Sequence, residues 1–600
     1  MQLDRVFFSL LVICLFFLSS ADAQERSPED DLCNVEYAGF LVSQLVSESR
    51  AVREPEKRIR ILIRSADFVW PFAETDARDY FTEAYKAAVA HYREKGIEDK
   101  TPSRGLMIPG TDYRFEVVRA IAKRDGAWAR KLADEILAEF EKAAKDRNEG
   151  DQSREIGLML QMAAENAEAD PDLAWYLLRR VMRYPLDQHW LFSVYSISRA
   201  NPSMATALYQ ELLMNYRSET PRRLLFLSAF PFGRDRIFGI DKFQLGMSVP
   251  EGFAPNAELQ RQFLEVFFER IQTYAANPEE RLRPPDQFRQ PEPVYMVSAL
   301  SEIEPLVIND LPFLLPRLSA ARALANSLLT EEMHRGMKGR EQSTSNLRLS
   351  FDERFAQMDE AEKEGKLTDL MIVNLMFWGG KTEEQFVKLE PWLDKIRDEE
   401  VRRETTNYYW FLRAQLAIKE GRFPDAERHA AKVPEIEHRA LLAFELAEAQ
   451  MKSINDVSSA YQTLGQLGTV VRKTENSATK AKLLLGLSSL YEKLNPNFAI
   501  DELAEAVRVM NRLENPDMLS TQIFRQIKGK DYGFFSVFSI PGQGIEGTFR
   551  KMGEIEFGLS LSNARAIDDR FLRTIAVLAV AGNCVDREPK AVQAETGSGN

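Results

Sequence analysis

The sequence predicts an all-α protein, an α-solenoid or superhelix of stacked helical hairpins, with a small β-hairpin element near residues 530–541. Two observations carry the helical part. From Leu32 to about Arg525 the apolar residues recur mostly at three- and four-residue steps, which places them on one face of a helix and not of a strand. A signature that ends one helix and starts the next also returns along the chain. A third observation favours repetition over separate domains: a chain of 600 residues would ordinarily divide into about three to five globular domains, unless one small unit repeats.

Residues 1–23 read as a signal peptide. Arg5 gives a weakly positive start, Val6 to Leu18 an apolar run broken only by Ser9, and Ala21-Asp22-Ala23 a small-x-small cleavage site. The expected destination is the periplasm or the exterior. The run is about thirteen residues long, short of the roughly 20 that a spanning helix needs, and no later stretch reaches that length without charges. No membrane span is expected in the mature chain. Cys14 lies inside the apolar run with Leu15, Phe16 and Phe17 after it, where a lipidation signal should already have ended. Cys33 and Cys584 then remain, and in an oxidising compartment such a pair invites a disulfide. The bond needs Cα atoms within about 7 Å, so either the helical array curves until its ends meet or a terminal segment folds back. Two unrelated thiols, one of them pairing between chains, are the alternative.

Residues 24–527 read as the helical-repeat solenoid. Leu483, Leu487, Leu490 and Leu494 form one apolar stripe, and Ala499, Leu503, Ala506 and Met510 the next. Between them stands Asn495-Pro496. The Asn side chain can accept a free N–H of the first turn, and Pro suits the next position because its missing N–H had no helical partner. The same punctuation appears at Asp170-Pro171 and Asn201-Pro202, each followed two residues later by an apolar residue and Ala, and Asp125-Gly126 is a version without Pro. The small Ala lets neighbouring helices approach. Spacings of 45 and 31 residues between successive members of the series Asp125, Asp170, Asn201 are loose but lie within the range of helix-pair repeats. Stacking such pairs buries stripes that a single pair leaves in water.

In the run TTNYYWFLRAQLAIKEGRFPDAERHA, Trp410, Ala414, Gly421, Phe423 and Ala426 are spaced like the Trp, small residue, Gly, aromatic and Ala of a tetratricopeptide repeat, which this segment resembles. The match covers about one repeat, and Arg413 and Ala417 stand where that family prefers Leu and an aromatic. The surrounding array is similar to large exported bacterial helical-repeat proteins. Both resemblances imply a fold and no activity.

Two stretches break the helical pattern. Residues 228–254 are dense in Phe, Gly and Pro and read as an inserted hairpin or ordered loop. Residues 530–549 alternate aromatic and small residues through Tyr532, Phe534, Val537 and Ile540, a strand-like pattern. Residues 528–584 thus combine a short β element with closing helices, and 585–600, which lack apolar periodicity, read as a disordered tail.

Charge and motifs then narrow the function. Lys plus Arg total 78 against 91 Asp plus Glu, a net charge of −13 that offers no global field for a phosphate backbone, so nucleic acid is not an expected partner. Gly542-Gln543-Gly544-Ile545-Glu546-Gly547 has the GxGxxG spacing, but Pro541 interrupts its entry and no βαβ unit surrounds it, which leaves a glycine-rich turn. His91, His189, His334, His429 and His438 include no pair three to five residues apart, so no local zinc half-site forms. No GxSxG elbow marks an activated serine. No catalytic, cofactor or metal residue is assigned.

The enzyme class that composition excludes least is carbohydrate cleavage, which needs two suitably placed carboxylates and aromatic platforms. Gly157 to Met162 resembles the GLMQ segment of lytic transglycosylases, yet it carries an inserted Leu160 and lacks the upstream Glu-Ser pair. The acid pairs Glu331-Glu332 and Glu399-Glu400 lie on charged helical stretches where a solvated face suffices. Trp175, Trp190, Trp378, Trp392 and Trp410 read mostly as packing residues.

The candidate partner-binding residues are Phe232, Arg234, Arg236, Phe238 and Phe243, which combine aromatic rings with two guanidiniums in a non-helical segment. A hairpin covering the end or groove of the solenoid is the plainer reading of the same residues. The expected function is that of an exported scaffold whose surface binds a protein or peptide, with an envelope glycan-active enzyme as the alternative.

Overall fold

A computed structural model describes residues 33–96, 111–143, 149–235, 237–239, 249–282, 290–333, 350–453, 456–520, 522–530, 532–539 and 544–586. In chain order the first helices are α1 (Val35–Ser49), α2 (Pro55–Val69), α3 (Glu74–Lys95), α4 (Tyr113–Ala122), α5 (Gly126–Ala143), α6 (Glu149–Asn166), α7 (Pro171–Val181), α8 (His189–Ala200) and α9 (Pro202–Asn215). After the single turn α10 (Pro221–Leu224) come α11 (Ala257–Ala276), the turn α12 (Pro278–Arg281), α13 (Glu292–Asp310) and α14 (Leu315–Ser327). The next group is α15 (Phe351–Lys363), α16 (Asp369–Gly379), α17 (Glu383–Leu393), α18 (Glu399–Lys419), α19 (Phe423–Ala430), α20 (Ile436–Ser453), α21 (Val457–Lys473), α22 (Ala478–Tyr491) and α23 (Pro496–Met510). Strands β1 (Gln522–Lys528) and β2 (Gly533–Ser539) follow, then α24 (Ile545–Ile555), α25 (Phe557–Arg565) and α26 (Arg570–Asp586). The protein is an all-α array of stacked helices with one small antiparallel hairpin. No helix among the described residues is long and apolar enough to cross a membrane.

The recurring punctuation works as capping chemistry requires. Asp170 accepts the backbone N–H of Leu173, Asn201 that of Met204, Asn495 that of Phe498, and Asp125 that of Trp128. Each satisfies one of the free donors of a helix's first turn, worth about 1 kcal/mol. The alanines that follow, Ala129, Ala174, Ala205 and Ala499, are completely buried. Successive members of the series also touch. A Cβ on Gly126 would stand 2.0 Å from the Asp170 carboxylate, so glycine is what lets one cap lie against the next.

The chain forms two compact units, one of residues 1–87 with 350–600 and the other of residues 88–349. In the second, α6 packs on α7 and α8, and α8 on α9. Near its start a buried ion pair is fully engaged. The Arg114 guanidinium donates to Asp112 at 2.7 and 3.1 Å and to Glu139 at 2.6 Å, and lies 3.2 Å from the Tyr92 ring centroid.

In the first unit, α26 is buried along nearly its whole length, against α1 and α2 on one hand and α24 and α25 on the other. Lys57 pairs with Asp569 at 2.7 Å, Arg64 with Glu546 at 2.8 Å and Arg573 with Glu48 at 3.2 Å. The tetratricopeptide-like segment is the helical pair α18–α19. Gly421 supplies its left-handed turn at φ 72°, and Ala414 and Ala426 are buried between the helices. Arg413, which departs from the repeat's Leu, is compensated by Glu383 at 2.9 Å and Glu390 at 2.8 Å on α17.

The small β-hairpin expected near residues 530–541 is present and pairs residues 522–528 with 533–539. Three bounds shift. The helical run before the hairpin stops at Met510 and not near Arg525. The cause is spacing: Ile523 and Ile527 stand four residues apart, as on a helix face, while the strand's other apolar residue, Phe524, falls on its opposite side. The division at 527/528 falls inside β1 and does not match the compact units, which are built from the same kind of hairpin and so carry no compositional mark. Finally, α26 runs through Asp586, past the expected start of the tail at 585. Residues 587–600, like residues 1–32 with the expected signal peptide, lie outside the described residues.

Candidate interaction site

The β-hairpin has two unlike faces. Its register pairs Phe524 with Val537, Gln526 with Phe535 and Arg525 with Ser536, so alternate residues of both strands share a face. The inner face is anchored on helices. Phe534 lies 5.0 Å from Phe377 of α16, and Phe538 lies 4.7 Å from Phe411 of α18 and 6.1 Å from His438 of α20, centroid to centroid. The Ser536 and Tyr408 hydroxyls are hydrogen-bonded at 3.0 Å.

Arg525 is the charged member of that inner face and is buried. Its guanidinium sits 5.5 Å from the Tyr408 ring centroid and 3.6 Å from Glu435, whose other oxygen accepts from Asn407 Nδ2 at 2.9 Å. Desolvation lowers the Arg525 pKa against the opposing pull of Glu435 and Glu404. His438 is buried beside it, and neither ring nitrogen has a hydrogen-bond partner among the described residues. Burial first, and the Arg525 charge second, push its pKa down to about 4. The imidazole is therefore a neutral ring packed between Phe411 and Phe538.

The outer face is apolar and open. Phe535 is 69% exposed, and Phe524 and Val537 are 43% exposed each. Phe524 and Val537 are direct cross-strand neighbours, with Phe535 on the diagonal, so the three form one patch on a surface held rigid from below.

The residues singled out in the sequence lie elsewhere. Cys33 and Cys584 are joined in a disulfide with Cα atoms 4.8 Å apart, and the terminal segment reaches the closing helix as that geometry demands. Phe232 is 9% and Phe238 0% exposed, their rings in edge contact at 5.1 Å. Arg234 stacks 4.0 Å from the Phe238 ring centroid and pairs with Glu302 at 3.1 Å. Arg236 and Phe243 lie outside the described residues. The expectation of an aromatic contact surface at this segment is thus corrected: Phe232 and Phe238 point into the core of the second unit. The hairpin was legible as a strand-like pattern, but the sign of its faces depends on helices far away in the sequence.

Other chemistry finds ordinary explanations. Among the described residues no group of His, Cys, Asp and Glu is arranged to hold a metal ion. His189 is bonded to Asp187, His91 and His429 are buried, and His334 is outside the described residues. Burial raises the pKa of Glu292, Glu445 and Glu502, yet each is tied to a structural donor: the Arg222 backbone N–H at 2.8 Å, the Gln415 amide at 3.2 Å and the Arg472 guanidinium. A Cβ at Gly544 or Gly547 would meet nothing within 4 Å, so these glycines form no tight cradle. Glu331, Glu332, Glu399 and Glu400 are all exposed, and Trp190 and Trp392 are buried.

No family model matches the chain. No curated protein matches it either. Among solved structures it is similar to a circular tandem repeat protein with novel repeat topology and enhanced subunit contact surfaces, at 14% identity and a TM-score of 0.17, over 92% of this chain and 97% of that one. At that score the likeness carries no argument, and the helical-repeat architecture rests on the chain's own helices and caps.

Proposed function

We propose that the protein is an exported helical-repeat scaffold that binds a protein or peptide partner through the outer face of its β-hairpin. One observation carries the reading: Phe535, Phe524 and Val537 present a continuous apolar patch on an element whose inner face is fixed to three helices. Rigid aromatic anchors of this kind bind with little loss of side-chain freedom. Export is supported by the apolar leader with its Ala21-Asp22-Ala23 site and by a disulfide between Cys33 and Cys584, a bond that persists in oxidising compartments.

The test is site-specific photo-crosslinking in the native host. A photoreactive phenylalanine at position 535 should yield a discrete polypeptide adduct, and the same residue at the exposed Lys452 should not. Absence of an adduct at 535, or equal adducts at both positions, would overturn the reading. Export is checked separately by N-terminal sequencing of the mature protein, expected to begin at Gln24 in the envelope or medium.

A further inference from the structure

Resting on the reading just given, we infer that the hairpin recognises its partner by strand addition. An extended segment lies beside β1 as a third strand, with an apolar residue opposite Phe524 and an acidic residue opposite Lys528. Two observations lead there. The first concerns the backbone. Among the described residues the sheet has two strands, and the backbone groups of 522–528 and 533–539 bond only to one another, with no helix or loop group supplying a partner to either outer edge. Strand edges carry rows of donors and acceptors that an extended chain matches at every second residue. A helix offers no such row, because its own backbone groups are used internally.

The second observation is charge. Among the outer-face residues of the two strands the one charged side chain is Lys528, which is exposed and engaged in no ion pair among the described residues. The turn itself is not basic overall, since Lys530 is followed by Asp531 in the sequence and Asp369 and Asp398 act on Tyr532. A partner strand with a basic residue opposite Lys528 would meet like charge, whereas an acidic residue there meets an opposite charge directly across the ladder. Phe524, Gln526 and Lys528 occupy alternate positions on the outer face of β1. The occupant's recognition pattern follows from strand geometry: apolar, then a residue facing Gln526, then acidic, at two-residue steps and so four residues apart from end to end. The spacing is the same whether the added strand runs parallel or antiparallel.

Selection from a displayed library of ten-residue peptides tests this on the full-length oxidised protein. The wild type should enrich peptides with an apolar residue and an Asp or Glu four positions apart. Lys528→Glu, an exposed substitution, should move the preference to Lys or Arg at that position. Synthetic copies of an enriched peptide with alternate backbone amides N-methylated should bind at least ten-fold more weakly. Enrichment of basic peptides by the wild type, preferences unmoved by Lys528→Glu, undiminished binding after N-methylation, or no enrichment at all would each overturn strand addition. The two readings fail separately: an adduct at position 535 with any of these outcomes leaves the hairpin as an interaction face and removes only the added strand, while no adduct removes both.

Discussion

Two Phe-rich interruptions of the helical array, residues 225–238 in one unit and 522–539 in the other, meet opposite fates. In the first, Phe226, Phe230, Phe232 and Phe238 are all buried. In the second, Phe534 and Phe538 are anchored while Phe524 and Phe535 face solvent. Hydrophobicity does not separate them; the destination of the backbone hydrogen bonds does. The first segment is two turns of 3-10 helix and irregular chain, and its backbone bonds partly within itself, as Ser228 N–H to Leu225 and Gly233 N–H to Phe230, and partly to side chains, two of them tyrosines of α8 and α9. Tyr195 donates to the carbonyls of Ala229 at 3.2 Å and Arg234 at 2.8 Å, Tyr209 donates to that of Leu227 at 2.8 Å, and Ser228 Oγ accepts from the Phe238 N–H at 3.1 Å. A segment bonded that way is wrapped on every side. The hairpin satisfies its own ladder, so a single covered face is enough to hold it, and the other faces solvent.

Breaking the first segment should have the largest effect. Phe238→Ala removes a completely buried ring from the second unit and is expected to cost about 3–5 kcal/mol, whereas Phe535→Ala should change stability by no more than about 0.5 kcal/mol. Hydrogen exchange resolved by segment checks both, and protection should fall around residues 195–238 in the first variant alone. Equal costs would mean that the hairpin's outer face is buried in the native protein.

Next in size is the disulfide, which fastens the unit that carries the hairpin and bridges a sequence separation of 551 residues. Replacing both Cys33 and Cys584 by Ser should cost about 2–5 kcal/mol. Because α1 and α2 also hold the closing segment 545–586 through packing and the Lys57, Arg64 and Arg573 ion pairs, the variant should stay folded, with its lowered urea midpoint confined to probes in this unit. An equal loss of protection in residues 88–349 would contradict that.

The hairpin's anchor carries a pH dependence in the acidic range. The His438 pKa falls from an ordinary 6.5 to about 4 in the folded protein, so below pH 6.5 the unfolded chain takes up a proton that the folded chain refuses. Stability is therefore unaffected above that pH, declines as pH falls from 6.5 towards 4, and levels off below. Between pH 7 and 5 the decline from this residue is about 2 kcal/mol. His438→Phe, which keeps a ring against Phe411 and Phe538, should remove that part of the decline in urea titrations at the two pH values.

The contrast also marks what could be read in advance. Helix starts at Asp125, Asp170, Asn201 and Asn495 were legible because capping involves residues two or three positions apart. The faces of the two Phe-rich segments were not, because Glu302 lies 68 residues from Arg234 and Ser536 lies 128 from Tyr408. The strand-like alternation of 532–540 was visible from its own residues. Its partner was not, because Ile523 and Ile527 in β1 imitate a helical step. The same dependence on distant contacts hid the division into two units.

The smallest expected effect on stability is the one that decides what the contrast is for. Phe535→Ser adds no buried polar group, removes no core packing and leaves the Phe534 and Phe538 anchors in place, so its unfolding midpoint should match the wild type within about 0.5 kcal/mol. If the outer face exists for display alone, partner crosslinking from a photoreactive residue at the neighbouring position 537 should nonetheless fall at least ten-fold in that variant. A surface side chain that costs nothing to remove from the fold, yet abolishes an adduct formed next to it, has its role in the partner. Undiminished crosslinking would instead make Phe535 a bystander, and would place the contact on the Phe524–Val537 pair beside it.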